Sequence, residues 1–148
     1  DLALGIALAR PKRTVICLNG DGSMLMTLGT LATVVGTGIS NLVLIVVDNG
    51  TYEITGNQAV PAAGLIDYAA MAEAVGFPRV LCFDDPRKYA EAVPDVLTTP
   101  GPTLVHVRVE PGSEGPIGRS AEEPARYLRT SLAEWSRVLR DALEGDPE

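Results

Sequence analysis

The run LVLIVV, Leu42 to Val47, restricts how this chain can fold more than any other stretch. Its residues are all aliphatic and mostly β-branched, with no polar residue alternating among them. A strand of this kind must be covered on both faces, as strands are in a parallel sheet held between helices. Three further runs, each interrupted by polar residues or cysteine, share the character in part: TVICLN (Thr14 to Asn19), RVLCF (Arg79 to Phe83) and TLVHVRV (Thr103 to Val109). The first, β-branched and ending at glycine, reads as a central strand.

Helical patterns separate these runs. Leu2 to Ala9 is a helix stopped by Arg10-Pro11. Ser23 to Val35 is apolar nearly all round, as in a helix covered on several sides. Asp67 to Gly76 and Pro86 to Leu97 complete the alternation. The expected fold is α/β, a mostly parallel sheet with helices on both faces. Gly50 to Leu65, rich in Gly, Pro, Asn and Gln, is a long loop, and long structured loops are often functional. Beyond an irregular stretch after Val109, Ser120 to Glu123 (SAEE) fits a capping box opening a last helix. On that helix Leu128, Leu132, Trp135, Leu139 and Ala142 form one apolar stripe suited to packing in an assembly.

Residues 1–148 read as a single domain. The first residues open in the middle of an apolar pattern and lack an initiator Met, so a segment is expected upstream. A net charge of -7 without a Lys/Arg run argues against a nucleic-acid partner. No segment reaches the roughly 20 apolar residues that span a bilayer. Cys17 and Cys82 lie alone in apolar runs without zinc-ligand spacing. They read as buried, reduced thiols that suit a cytoplasmic setting.

The chemistry concentrates in two strand ends. The first strand runs into Gly20-Asp21-Gly22-Ser23, the second into Asp48-Asn49-Gly50-Thr51. In sheets of this kind ligands bind at the carboxyl ends of strands. Gly20 and Gly22 let a backbone approach an anion such as a diphosphate, and the helix start at Ser23 offers unpaired N–H groups. Asp21 cannot bind a phosphate directly. It suits a hard cation such as Mg²⁺, with a side-chain oxygen from Asn49 and a main-chain carbonyl near Thr51. Taken singly, each motif is also ordinary turn chemistry.

Gly20-Asp21-Gly22, followed one helix later by Asn49, resembles the signature of thiamine diphosphate-dependent enzymes. The wider wording GDGSMLMTLGTLATV, DNGTYEITGNQ and PTLVHVRVEPG looks most like the sulfopyruvate and phosphonopyruvate decarboxylases, particularly the β subunit of the former. The resemblance implies that Asp21 and Asn49 bind Mg²⁺, beside the carbonyl read at Thr51, and that Gly20, Gly22 and Ser23 meet the diphosphate. The family's usual Asn-Asn pair is Asp48-Asn49 here. The implied reaction is decarboxylation of a small anionic 2-oxo acid, a lyase reaction. The implied partner is a pyrimidine-binding subunit or domain, whose glutamate activates the cofactor's aminopyrimidine, in a homo- or hetero-oligomer. Two alternatives stay open: a carboligase of the acetolactate synthase type, and a non-catalytic cofactor-binding assembly module.

Tyr52, Glu53 and Gln58, in the loop after Asn49, are candidates for substrate contact or proton transfer, or else pack the loop onto the sheet. His106, the only histidine, alternates with Val105 and Val107 inside a strand and reads as structural.

Overall fold

The structure, a computed structural model of the chain, describes residues 1–112 and 130–145. The chain divides into two compact units, Asp1–Ser113 and Glu114–Glu148. In the first, β1 (Val15–Gly20), β2 (Leu42–Asp48), β5 (Arg79–Phe83) and β6 (Thr103–Arg108) form a four-stranded sheet in the order β1-β2-β6-β5. All its neighbours pair in parallel. β3 (Thr51–Tyr52) and β4 (Gln58–Ala59) make a separate antiparallel hairpin.

Residues from α1 (Leu2–Ala9), α2 (Asp21–Met26), α3 (Thr30–Gly36) and α4 (Tyr68–Val75) pack on one face, around Leu44, Val46 and Leu104. α5 (Pro86–Thr98) covers the other, where Val96, Tyr89 and Ala92 meet Val43, Ile45 and Val105. β2 therefore alternates between two cores, which explains its unbroken apolar sequence. Helix ends follow local chemistry. Asp67 caps α4 by accepting from the Ala70 amide at 3.0 Å, and Gly76 ends that helix in the left-handed region with φ 98°. Asp85 caps α5 ahead of Pro86.

Three expectations need correction. β1 is an edge strand of the described sheet, paired only with β2, and Ile16 and Leu18 are exposed. Its β-branched residues signal a strand, but nothing local distinguishes an edge from a centre. The helix expected over Ser23–Val35 is two short helices that start at Asp21 and break at Thr27–Gly29. The Thr27 hydroxyl donates to the Ser23 carbonyl at 3.1 Å, and Thr27 leaves helical geometry at φ -130°. Cys17 is only half-buried and Cys82 is exposed, because both lie on the outer strands; both are free thiols.

α6 (Leu132–Glu144) belongs to the second unit. Ser131 caps it, accepting from the Glu134 amide at 3.2 Å, so Ser131-Leu132-Ala133-Glu134 has the capping-box spacing. The cap expected at Ser120–Glu123 and the stripe residue Leu128 lie outside the described residues. Among the described residues no helix is long and apolar enough to cross a membrane.

The edge position of β1 predicts an asymmetry between two leucines. Leu104, with no exposed surface, should cost about 2–5 kcal/mol when changed to alanine. Leu18, 72% exposed, should cost less than about 0.5 kcal/mol. Urea unfolding of Leu104→Ala and Leu18→Ala measures both, and equal costs would contradict the sheet order.

Candidate functional site

The parallel register pairs Gly20 with Val47, so β1 and β2 end side by side. Asp21 and Asn49 thereby come from separate parts of the sequence to one edge. A cavity of about 470 Å³ opens there, lined by Gly20, Asp21, Gly22, Ser23, Asn49, Thr51, Tyr52 and Glu53. Eight of the nine candidate residues are thus brought together, Gln58 being the exception. Met26, Val47, Ile54 and Thr55 join them. Met26 and Ile54 are strongly exposed apolar side chains at the rim that the sequence reading did not single out. The available signal for Ile54 was one aliphatic residue in the polar stretch Gly50 to Gln58.

Asp21 is only 3% exposed. Its Oδ2 accepts from the Gly50 amide at 2.9 Å, and its carbonyl accepts from the Tyr68 hydroxyl at 3.0 Å. Burial raises the Asp21 pKa above the ordinary 3.8, and the neighbouring negative charge of Asp48 adds to the rise. Hydrogen bonds from the Gly22 and Gly50 amides oppose it. Burial, followed by the charges of Asp21 and Asp48, pushes Tyr68 up to about 12, so its hydroxyl stays a neutral donor.

The loop after Asn49 is a folded flap. The β3–β4 hairpin encloses a single 3₁₀ turn at Glu53–Thr55. The Asn49 amide Nδ2 donates to Glu53 Oε2 at 3.2 Å, while Asn49 Oδ1 accepts from the Thr51 amide at 3.0 Å. A carboxylate only accepts, so this pair of contacts fixes which way the Asn49 amide points. The Thr51 hydroxyl donates to Asn57 Oδ1 at 3.2 Å, inside the hairpin. Gln58 bonds with Thr55 through both ends of its amide and does not line the cavity. His106 is fully buried behind the site, as its place in a strand implied.

The donor set is chemically suited to a small hard cation. It offers one buried carboxylate, a second lone pair on Asn49 Oδ1 and the carbonyl of Thr51. Among the described residues no three His, Cys, Asp or Glu side chains gather to hold a metal. A cation using few protein oxygens, with phosphate and water completing its shell, fits such a site. Open space lies where a side chain on Gly20 would point. At Gly22 the Tyr52 ring takes that place: an added Cβ would collide with Cε1 and come within 2.7 Å of Cδ1.

A parallel α/β sheet with a Gly-Asp-Gly turn and an oxygen cluster at its carboxyl edge defines a cofactor-binding domain. Residues 2–107 match the family described as thiamine pyrophosphate enzyme, C-terminal TPP binding domain, and the chain belongs to that family. It is 41% identical over 128 residues to a phosphonopyruvate decarboxylase of Streptomyces viridochromogenes, covering 86% of this chain and 32% of that protein. It is 40% identical over 113 residues to the sulfopyruvate decarboxylase subunit beta of Methanothermobacter thermautotrophicus, covering 76% of this chain and 57% of that subunit. Among solved structures, the thiamine diphosphate-dependent 4-hydroxybenzoylformate decarboxylase of Rhodococcus jostii superposes with a TM-score of 0.64 at 31% identity. That match covers 76% of this chain and 23% of the other. The chain thus spans about a third of the first relative and just over half of the second.

The raised pKa of Asp21 has a defined sign in stability. A folded-state pKa above the unfolded value leaves stability intact below pH 3.8 and removes it as pH rises through the folded value. Asp21→Asn keeps an acceptor for the Gly50 amide without the charge. In metal-free buffer the variant and the wild type should be alike below pH 3.8, with the variant gaining relative stability as pH rises. Denaturant unfolding across pH tests this, and a difference independent of pH would refute it.

Proposed function

We propose that this chain is the diphosphate-binding part of a thiamine diphosphate- and Mg²⁺-dependent 2-oxo acid decarboxylase. The observation that carries the reading is the convergence of Gly20, Asp21, Gly22, Ser23, Asn49 and Thr51 on one cavity, from two strand ends. Identity to phosphonopyruvate and sulfopyruvate decarboxylases supports the reaction class and a small anionic 2-oxo acid as substrate.

In this reading Asp21 and Asn49 donate side-chain oxygens to Mg²⁺ and Thr51 a main-chain carbonyl. The buried negative charge beside Asp21 favours a divalent cation over a proton. Gly20, Gly22 and Ser23 let the turn approach the diphosphate. Bound there, the cofactor supplies the electron sink that 2-oxo acid decarboxylation needs. Tyr52, packed on Gly22, closes the turn from above, and Glu53 is held by Asn49 at the cavity wall. In this reading Glu53 serves substrate contact or proton transfer, and its position in the cavity lining supports that role.

The exposed Met26 and Ile54 form an apolar rim on an open cavity. A pyrimidine-binding partner subunit or domain would cover it and exclude water from the reaction. The subunit designation of the Methanothermobacter relative supports such a split arrangement. A cytoplasmic location belongs to the same proposal, in keeping with two free thiols.

Calorimetric titration of thiamine diphosphate into the full chain should show binding that requires Mg²⁺. Asp21→Ala should weaken it by about a hundredfold or more, because a hard cation loses its one buried anionic ligand. Unchanged affinity would defeat the metal assignment. CO₂ release from a panel of 2-oxo acids, with and without candidate partners, separates a decarboxylase subunit from a non-catalytic module.

Glu53→Gln retains an acceptor for the Asn49 amide and loses only charge. Cofactor affinity should stay within about threefold while turnover or preference among 2-oxo acids changes. Loss of Mg²⁺ binding in this variant would instead make Glu53 part of the cation site.

A further inference from the structure

Behind the cavity lies a group of side chains that none of these roles uses. His106, fully buried in β6, stands in register between Val46 of β2 and Cys82 of β5. Its Nε2 lies 2.9 Å from Asp48 Oδ2, and its Nδ1 lies 3.8 Å from Cys82 Sγ. An ionised carboxylate can only accept, so Nε2 carries a hydrogen directed at Asp48, while Nδ1 faces the thiol. The Tyr68 ring meets the imidazole edge-on, with centroids 5.6 Å apart at 76°. Tyr68 and Asp48 thus hold His106 from two sides.

Both neighbours act on Asp21. Tyr68 donates to its carbonyl at 3.0 Å, and Asp48 follows Val47, the register partner of Gly20, just as Asp21 follows Gly20. Asp48 also immediately precedes Asn49. A carboxylate here, with only 18% of its side chain exposed, needs a donor to keep its place. Without one it can swing toward water, or compete with Asp21 for the Gly22 and Gly50 amides. Either movement disturbs the two residues read as cation ligands.

Resting on the proposed cofactor role of the cavity, we propose that His106 is a positioning residue for the cation–diphosphate site. It donates Nε2–H to Asp48, holds that carboxylate at a fixed place beside Asp21, and so sets the field the cation meets. The residue read from sequence as purely structural then acts on ligand affinity through Asp48. Outer partners of metal ligands commonly carry such weight.

The test titrates Mg²⁺ with thiamine diphosphate into the full chain by calorimetry, with thermal unfolding to confirm that each variant is folded. His106→Asn has too short a side chain to reach Asp48 and should weaken binding about tenfold. His106→Gln, which can place an N–H near the former Nε2, should stay within about threefold of wild type. In the Asp48→Asn background, adding His106→Asn should cost less than about twofold, since the two residues act as one unit. An independent readout uses the lone imidazole. Its ¹⁵N spectrum in the metal-free chain should show the proton on Nε2, with a shift when Mg²⁺ and thiamine diphosphate bind.

Wild-type affinity in folded His106→Asn overturns the proposal. So does an equal loss in His106→Asn and His106→Gln, an undiminished loss in the Asp48→Asn background, or an imidazole whose Nε2 carries no proton. If His106→Asn does not fold, the affinity of His106→Gln and the imidazole spectrum decide. Absence of binding by the wild type overturns the reading of the cavity itself, and the positioning role with it.

Discussion

Two carboxylates, Asp21 and Asp48, sit close together at the carboxyl edge of the sheet, and much of the local structure accommodates their repulsion. Burial and proximity make the ionised pair unfavourable, as the raised pKa of Asp21 records. Nearby groups respond in different ways. The Gly22 and Gly50 amides donate to Asp21, and His106 holds Asp48 at 2.9 Å. Tyr68, itself pushed up to about 12, stays a neutral donor beneath them. This leaves a hydrogen-bonded site with an excess of negative charge, the condition under which a divalent cation binds favourably.

The fold makes that condition possible through one geometric fact. Parallel pairing in register sends the ends of β1 and β2 to the same edge, so that a glycine turn and an Asp-Asn pair meet. Because β2 is buried on both faces, its end is anchored rigidly. The flap that follows it can then be short and self-contained, closed by the hairpin and by Gln58 bonding to Thr55. Rigid strand ends carrying a compact loop suit a site that must hold a cofactor in one geometry.

Gly22 has a second role beside backbone approach. Its lack of a side chain admits the Tyr52 ring over the turn. The flap and the turn are therefore packed against each other directly, and a change in one is felt by the other. The exposed Met26 and Ile54 at the rim mark where this packed surface gives way to apolar surface.

The sequence alone determined the elements whose chemistry is local. The doubly buried β2, the capped α4 and α5, and the glycine-acid turn all follow from residue order and short-range sterics. That the candidate residues would gather at one cavity was legible for a different reason: strand ends in parallel sheets converge on one edge. Only the tertiary structure decided properties that depend on distant partners. The place of β1 at the edge rests on which strands pair, and TVICLN contains no record of that. The break at Thr27–Gly29 hid inside an apolar pattern because periodicity registers burial and not hydrogen-bond continuity. His106 shows the limit most clearly. Alternation placed it in a strand and argued its burial, but its contact with Asp48 spans 58 residues of chain. Such a contact exists only once β2 and β6 lie side by side.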